Sequence, residues 1–96
     1  MAKVNIKEEM VKRDPFGSTG LWRMGTIQIG NEVFKYSVKT YQEGSEWGIE
    51  EGRISKLCIA DETDKKTLVH FDRGWDREPS TESLKTALKL VKEKYN

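Results

Sequence analysis

Apolar and polar residues alternate through Leu21–Ile29 and Glu32–Tyr41, on either side of Gly30-Asn31. Alternation with a period of two marks a strand with one face buried. A Gly-Asn pair tolerates the positive φ that a two-residue hairpin turn needs. With that pair at the turn centre, Ile29 faces Glu32, Ile27 faces Phe34, Gly25 faces Tyr36 and Arg23 faces Val38. One face then carries Ile27, Ile29, Phe34, Tyr36 and Val38, and the other is mostly polar. A slip of one residue would exchange the faces, so the pattern supports this register. Gly25 opposite Tyr36 suggests an aromatic ring lying over a position that has no side chain.

A second alternation runs through Ile54–Ala60 and Thr67–Arg73, joined by the polar loop Asp61-Glu62-Thr63-Asp64-Lys65-Lys66. Centring that loop on Thr63-Asp64 sets Cys58 against Val69 and His70 against Leu57. Cys58 and His70 then point to opposite faces of the sheet. Toward the C-terminus, Leu84, Ala87, Leu88, Val91 and Tyr95 form a stripe at helical spacing. Ser80 after Pro79 suits the N-cap, Glu82 suits the first turn, and Lys92 and Lys94 suit the last.

The remaining segments are less regular. Gly44, Gly48 and Gly52 punctuate a loop with tight turns and a short extended piece around Trp47 and Ile49. Val4, Ile6, Met10 and Val11 fit neither period, which leaves a short helix and an edge strand both open. Asp14-Pro15 then breaks the chain, and Phe16–Gly20 reads as a loop. Residues 1–20 are therefore set apart as flexible or peripheral. The expected architecture is α+β: a mostly antiparallel four-stranded sheet of two hairpins, with the C-terminal helix packed on one face. Its 96 residues suit a single domain.

Composition narrows the function classes. Charged residues make up 34% of the chain, yet they balance to a net charge of +1. Disorder more often joins low hydrophobicity to high net charge, so a folded domain is expected. A dedicated nucleic-acid binder usually carries a basic excess, although a local patch needs none. The N-terminal stretch has no apolar run, so neither a signal peptide nor a membrane span is expected. A lone cysteine, Cys58, suits a reducing, cytoplasmic setting.

No catalytic or ligand signature stands out. A nucleophile needs a base within reach, and Cys58 and His70 fall on opposite faces in the expected register. One Cys and one His cannot close a zinc site of nitrogen and sulfur ligands. Asp72, Asp76 and Glu78, like Asp61, Glu62 and Asp64, match no EF-hand loop and read as solvated. The spaced glycines lack a Gly-Lys-Ser/Thr ending, and the glutamates among them repel phosphate. No catalytic residue, metal site or cofactor is assigned, and the expectation is a non-enzyme.

What remains is a group of Trp47, Arg53, Lys56, Asp72, Arg73, Trp75, Asp76 and Arg77. Pairing of the second hairpin brings Arg53 and Lys56 near the Asp72–Arg77 segment. Arg53 bonded to Asp72 or Asp76 would pin two loops, since a guanidinium fits a carboxylate in a bidentate fork. Exposed Trp and Arg are also the commonest binding anchors, so the same residues can form a recognition surface.

Within GSEWGIEEGRISKL (Gly44–Leu57) and FDRGWD (Phe71–Asp76), about a fifth of the chain, the sequence resembles a family of small uncharacterised proteins. The resemblance implies an accessory protein of Gram-positive bacteria, their phages or other mobile elements. It implies no activity and no site residue. The leading expectation is a binding protein that contacts a partner protein, or a second copy of itself, through the Gly44–Arg53 and Phe71–Arg77 segments. The alternative is a nucleic-acid-binding module using Arg53, Lys56, Arg73, Arg77 and the two tryptophans.

Overall fold

The computed structural model describes residues 4–13, 20–41, 44 and 48–96. Among these, six strands form one antiparallel sheet in chain order: β1 (Val4–Arg13), β2 (Leu21–Ile29), β3 (Glu32–Thr40), β4 (Ile54–Asp61), β5 (Thr67–Asp72) and β6 (Trp75–Arg77). A C-terminal helix, α1 (Glu82–Tyr95), lies across one face. The α+β class and the covering helix stand as expected, but the sheet has six strands rather than four.

The first hairpin, β2–β3, has the expected register at every pair from Trp22↔Lys39 to Ile29↔Glu32. Gly30 takes φ 61° at the turn. Tyr36 covers Gly25 so closely that a Cβ there would meet its hydroxyl oxygen at 2.7 Å and the Lys7 carbonyl oxygen at 1.9 Å.

Strand β1 occupies the edge beside β2 and settles the open choice for residues 4–13. Its register jumps between Glu8 and Met10, so Glu9 is an extra residue. Ile6 and Glu8 share the helix face with Ile27 and Gly25, whereas Met10 and Lys12 pair with Met24 and Trp22 on the other face. A bulge reverses the alternation partway along a strand, and that is why no single period fits this segment. The expected loop at Phe16–Gly20 lies, apart from Gly20, outside the described residues.

The second hairpin departs from expectation within β5. Asp61 and Lys66 close the loop, with the Asp61 N–H donating to the Lys66 carbonyl at 3.0 Å, and Ala60 pairs with Thr67. Both agree with a turn centred on Thr63-Asp64. A shift of one residue follows, after which Ile59 faces Val69, Cys58 faces His70 and Leu57 faces Phe71. The extra residue, Leu68, packs against the core. The shift brings Ile59, Val69, Leu57 and Phe71 together, all buried. Cys58 and His70 are thus cross-strand neighbours on one face, not on opposite faces.

The core is the layer between sheet and helix. Ile27, Val38, Ile54, Leu57, Ile59, Val69 and Val91 are its largest fully buried side chains. The helical stripe of Leu84, Ala87, Leu88, Val91 and Tyr95 is the buried face of α1. Its N-cap is Thr81 rather than Ser80: the Thr81 hydroxyl accepts the Leu84 N–H at 3.1 Å. Among the described residues, no helix is long and apolar enough to cross a membrane.

Candidate functional site

At one end of the sheet, the DRGWD segment makes a tight hairpin between β5 and β6. The Asp72 N–H donates to the Gly74 carbonyl at 3.0 Å, and Arg73 takes φ 55° between them. The Arg73 N–H donates to the Ser55 carbonyl at 3.1 Å, which fastens the turn to the start of β4. Phe71 pairs with Trp75, and the rings meet edge to face with centroids 5.1 Å apart. Phe71 is buried, yet Trp75 remains 40% exposed. Trp75 thus caps one edge of the core and presents much of its ring to solvent.

The charges around this turn are interleaved. Asp72 lies 3.9 Å from Lys56 and 3.8 Å from Arg73. Asp76 contacts His70 Nδ1 at 3.1 Å. The expected Arg53–carboxylate bond is not formed, because both carboxylates are turned to these nearer partners. Arg53 is exposed and contributes its backbone instead, accepting the Tyr41 N–H at 3.1 Å. Arg77 is exposed and sits across from His70. Trp47, the eighth member of the expected group, lies outside the described residues. The other seven fall at or beside the β4–β5–β6 end of the sheet.

Within the glycine-rich segment before β4, residues 48–52 pack against the core and the end of α1. Ile49–Glu51 form a 3-10 turn, not an extended piece, and Ile49 is buried in the core. Asn96 closes over this turn. Its Nδ2 donates to the Ile49 carbonyl at 2.9 Å, and its Oδ1 accepts the Ile54 N–H at 3.1 Å. A Cβ at Gly52 would lie 2.1 Å from Asn96 Oδ1, and one at Gly48 would lie 2.1 Å from the Gly52 carbonyl oxygen. Lys92 pairs with Glu50, adding a second link between α1 and the turn. These glycines make room for a clasp between the helix end and β4.

A polar chain at the same C-terminal end of α1 ties β1 to the rest. Tyr95 donates to Glu8 Oε1 at 3.0 Å, and Arg23 Nη1 donates to the same oxygen at 3.1 Å. The Tyr95 hydroxyl has one proton, so Tyr36 donates in the 2.6 Å contact between the two phenols. Burial raises the Glu8 carboxyl pKa, but the bonds from Arg23 and Tyr95 outweigh it and hold the group below the ordinary carboxylate value. Burial, together with the bonds to Tyr36 and Glu8, pushes the Tyr95 phenol well above its usual range. This chain fastens the edge strand and offers no nucleophile.

On the face away from α1, Cys58 stands between Ser37 and His70. The Cys58 sulfur is 3.9 Å from the Thr67 hydroxyl. Cys58 lies in the middle of a strand whose neighbours are both paired. Among the described residues, no group of three His, Cys, Asp or Glu side chains is placed to hold a metal ion.

A family model described as a domain of unknown function, DUF7678, matches residues 21–96. The chain belongs to the DUF7678 family. Comparison with curated proteins and with solved structures finds no match. The DUF7678 match takes in β2 to β6 and α1, and begins after β1.

Both segments that drew attention in the sequence lie inside the DUF7678 match. The structure separates their roles: Gly48–Gly52 is bound into the fold, and Asp72–Arg77 projects from it. Sequence reasoning missed Glu8, Tyr95 and Asn96 as fastening groups. Tyr95 was legible only as a member of the helical stripe. No local signal marks a partner 87 residues away, as with Glu8 and Tyr95.

Proposed function

We propose that this DUF7678 protein is a non-enzymatic binding module that engages a partner protein through the Asp72–Arg77 hairpin. The observation behind this reading is the pairing of Trp75 with Gly74. Trp75 is a 40%-exposed aromatic held edge-on by Phe71 on a turn tied to β4. A rigid, half-exposed Trp flanked by arginines has the composition of a binding hot spot. Gly74 beside it has no internal reason to be glycine. A Cβ there would meet nothing within 4 Å, and its φ lies outside the left-handed region. A bare backbone next to an exposed Trp leaves space for another chain to approach closely.

The interleaved Asp72 and Asp76 favour a protein partner at this turn over nucleic acid, because phosphates would be repelled by both carboxylates. The resemblance at Gly44–Leu57 and Phe71–Asp76 supports an accessory protein of a bacterium or its phage, and the lone Cys58 suits the cytoplasm. The test is photo-cross-linking in the host cell, with a photoreactive residue placed at Arg73 or, as a control, at Lys85 on the exposed helix. The reading expects one discrete adduct from position 73, lost on Trp75→Ala, and none from position 85. Equal labelling from both positions, or none from position 73, would sink it.

A further inference from the structure

The helix covers one face of the sheet, and the strand register assigns the residues of the other. Lys12, Trp22, Lys39 and Lys56 stand in one cross-strand row from β1 to β4, Lys39 buried over the Tyr41 ring and Lys56 facing Asp72. Adjacent strands are about 4.8 Å apart, so this row spans roughly 14 Å. Lys7 and Lys35 flank Thr26 in a parallel row on the same face. Among the described residues, Lys7, Lys12 and Lys35 are exposed and make no ion pair within 4 Å. Between the rows lies a shallow groove of about 360 Å³, floored by Met10, Met24, Ser37 and Cys58, with Lys35 and the exposed Glu9 also lining it. The Glu9 carboxylate accepts the Thr26 hydroxyl and lies in the field of Lys7 and Lys35, so it offsets part of their charge. Trp22 is half-buried at its border.

Three features of this face select its occupant. Lys7, Lys12 and Lys35 outnumber Glu9, so it is basic where the whole molecule is nearly neutral, and local charge, not net charge, sets the field a ligand meets. It carries an aromatic ring between cations, and it has an apolar groove alongside. A second copy laid face to face would set lysines against lysines, which costs energy. Duplex nucleic acid keeps its bases stacked internally and has no base to place on Trp22. Unpaired bases have free π-faces that stack on aromatic side chains while their phosphates track cations.

We propose that the helix-free face of the sheet binds single-stranded nucleic acid, with phosphates on Lys7, Lys12 and Lys35 and bases on Trp22 and the neighbouring groove. This surface is separate from the Trp75 hairpin and stands on different observations.

The test is fluorescence anisotropy of a labelled short oligo(dT) with the full chain, joined to NMR of the Trp22 indole N–H. Three neutralised phosphates give a slope of log K against log salt of about −2 for a single strand. Lys7→Glu, Lys12→Glu and Lys35→Glu together weaken binding at least tenfold at low salt, whereas Lys89→Glu on the helix does not. Trp22→Ala costs about ten- to a hundredfold, and the Trp22 signal shifts on titration. Absence of binding at about 50 mM salt overturns the proposal. So does equal affinity for a duplex with no Trp22 shift, or a self-association, broken by Met10→Glu, that buries this face. Because all three reversed lysines are exposed, the folded state of the triple variant can be checked independently by its hydrogen-exchange pattern.

Discussion

Gly52 and Gly74 sit in two short, charged, Trp-containing segments that look alike in the sequence, yet the fold uses them in opposite ways. A Cβ at Gly52 would overlap the Asn96 side chain at 2.1 Å, whereas a Cβ at Gly74 would touch nothing. Around Gly52, the turn is closed by Asn96, with Ile49 buried and Lys92 paired to Glu50. Around Gly74, Arg73 is exposed and Trp75 stands partly free. Density of glycine and tryptophan is therefore not itself a functional signal. A glycine that the interior requires points to packing; one that the interior does not require points outward, toward a partner.

The largest effect should come from within the clasp. Gly48→Ala drives a Cβ to 2.1 Å from the Gly52 carbonyl oxygen, and backbone cannot swing aside as a long side chain can. Overpacking of this kind costs about 1–3 kcal/mol. For a domain of this size, that corresponds to a Tm lowered by roughly 5–20 °C in a thermal melt. An unchanged Tm would mean that Gly48 resembles Gly74 and that the contrast is false.

Next is the Asn96–Gly52 pair, which separates steric from hydrogen-bonding contributions. Asn96→Ala leaves the Ile54 N–H and the Ile49 carbonyl without their side-chain partner, at a cost of about 1–2 kcal/mol. Gly52→Ala destabilises the parent chain because its Cβ occupies the place of Asn96. In the Asn96→Ala background that overlap is gone, so the second substitution should cost much less than it does alone. Urea unfolding of the four proteins gives this double-mutant cycle directly. Strict additivity would show that the two residues do not meet.

A smaller effect tests whether β1, which the DUF7678 match leaves out, is fastened as firmly as the clasp. Glu8 has a lowered pKa in the folded state, so its contribution is complete above the unfolded carboxylate value of about 4.3. That contribution fades as pH falls through the folded value. Glu8→Gln should therefore lower stability near pH 7 by about 1 kcal/mol, discounted for its partial exposure, and flatten the loss on acidification. Hydrogen exchange in β1 should rise with it. If the acid dependence survives in Glu8→Gln, some other group carries it.

These contrasts also show how far the sequence could be read. Hairpin β2–β3 was legible in full because Gly30 fixes the turn and Ile27, Phe34, Tyr36 and Val38 fix the face. The apolar stripe of α1 was legible for the same reason, being set by short-range spacing. Within the strands, the reading failed in β1 and β5, where one extra residue enters. Glu9 in β1 and Leu68 in β5 each reverse the alternation, and neither carries a local mark of doing so. The ends of such a strand obey different phases, so one search period misses the strand or misplaces half of it. That single residue in β5 also moved Cys58 beside His70. At the candidate site, the residue types were legible but their pairing was not. Asp72 and Asp76 had several cations within plausible reach, and only the geometry assigns Lys56, Arg73 and His70 to them.

The smallest expected change in stability carries the most weight for function. Gly74→Ala adds a methyl group into open space at a residue whose φ is outside the left-handed region. Alanine also has less freedom than glycine in the unfolded chain, so the substitution should leave Tm unchanged or raise it by an amount equivalent to about 0.4–1 kcal/mol. An isolated chain under selection for stability alone would gain from that methyl. The hairpin reading expects the cost elsewhere: the adduct formed from position 73 in the cell should weaken in Gly74→Ala while the melt does not. A variant more stable than the parent yet poorer in cross-linking would separate the binding role of this turn from its folding role. If both the melt and the adduct match the parent, Gly74 serves neither role, and the contrast with Gly52 would have to rest on Trp75 alone.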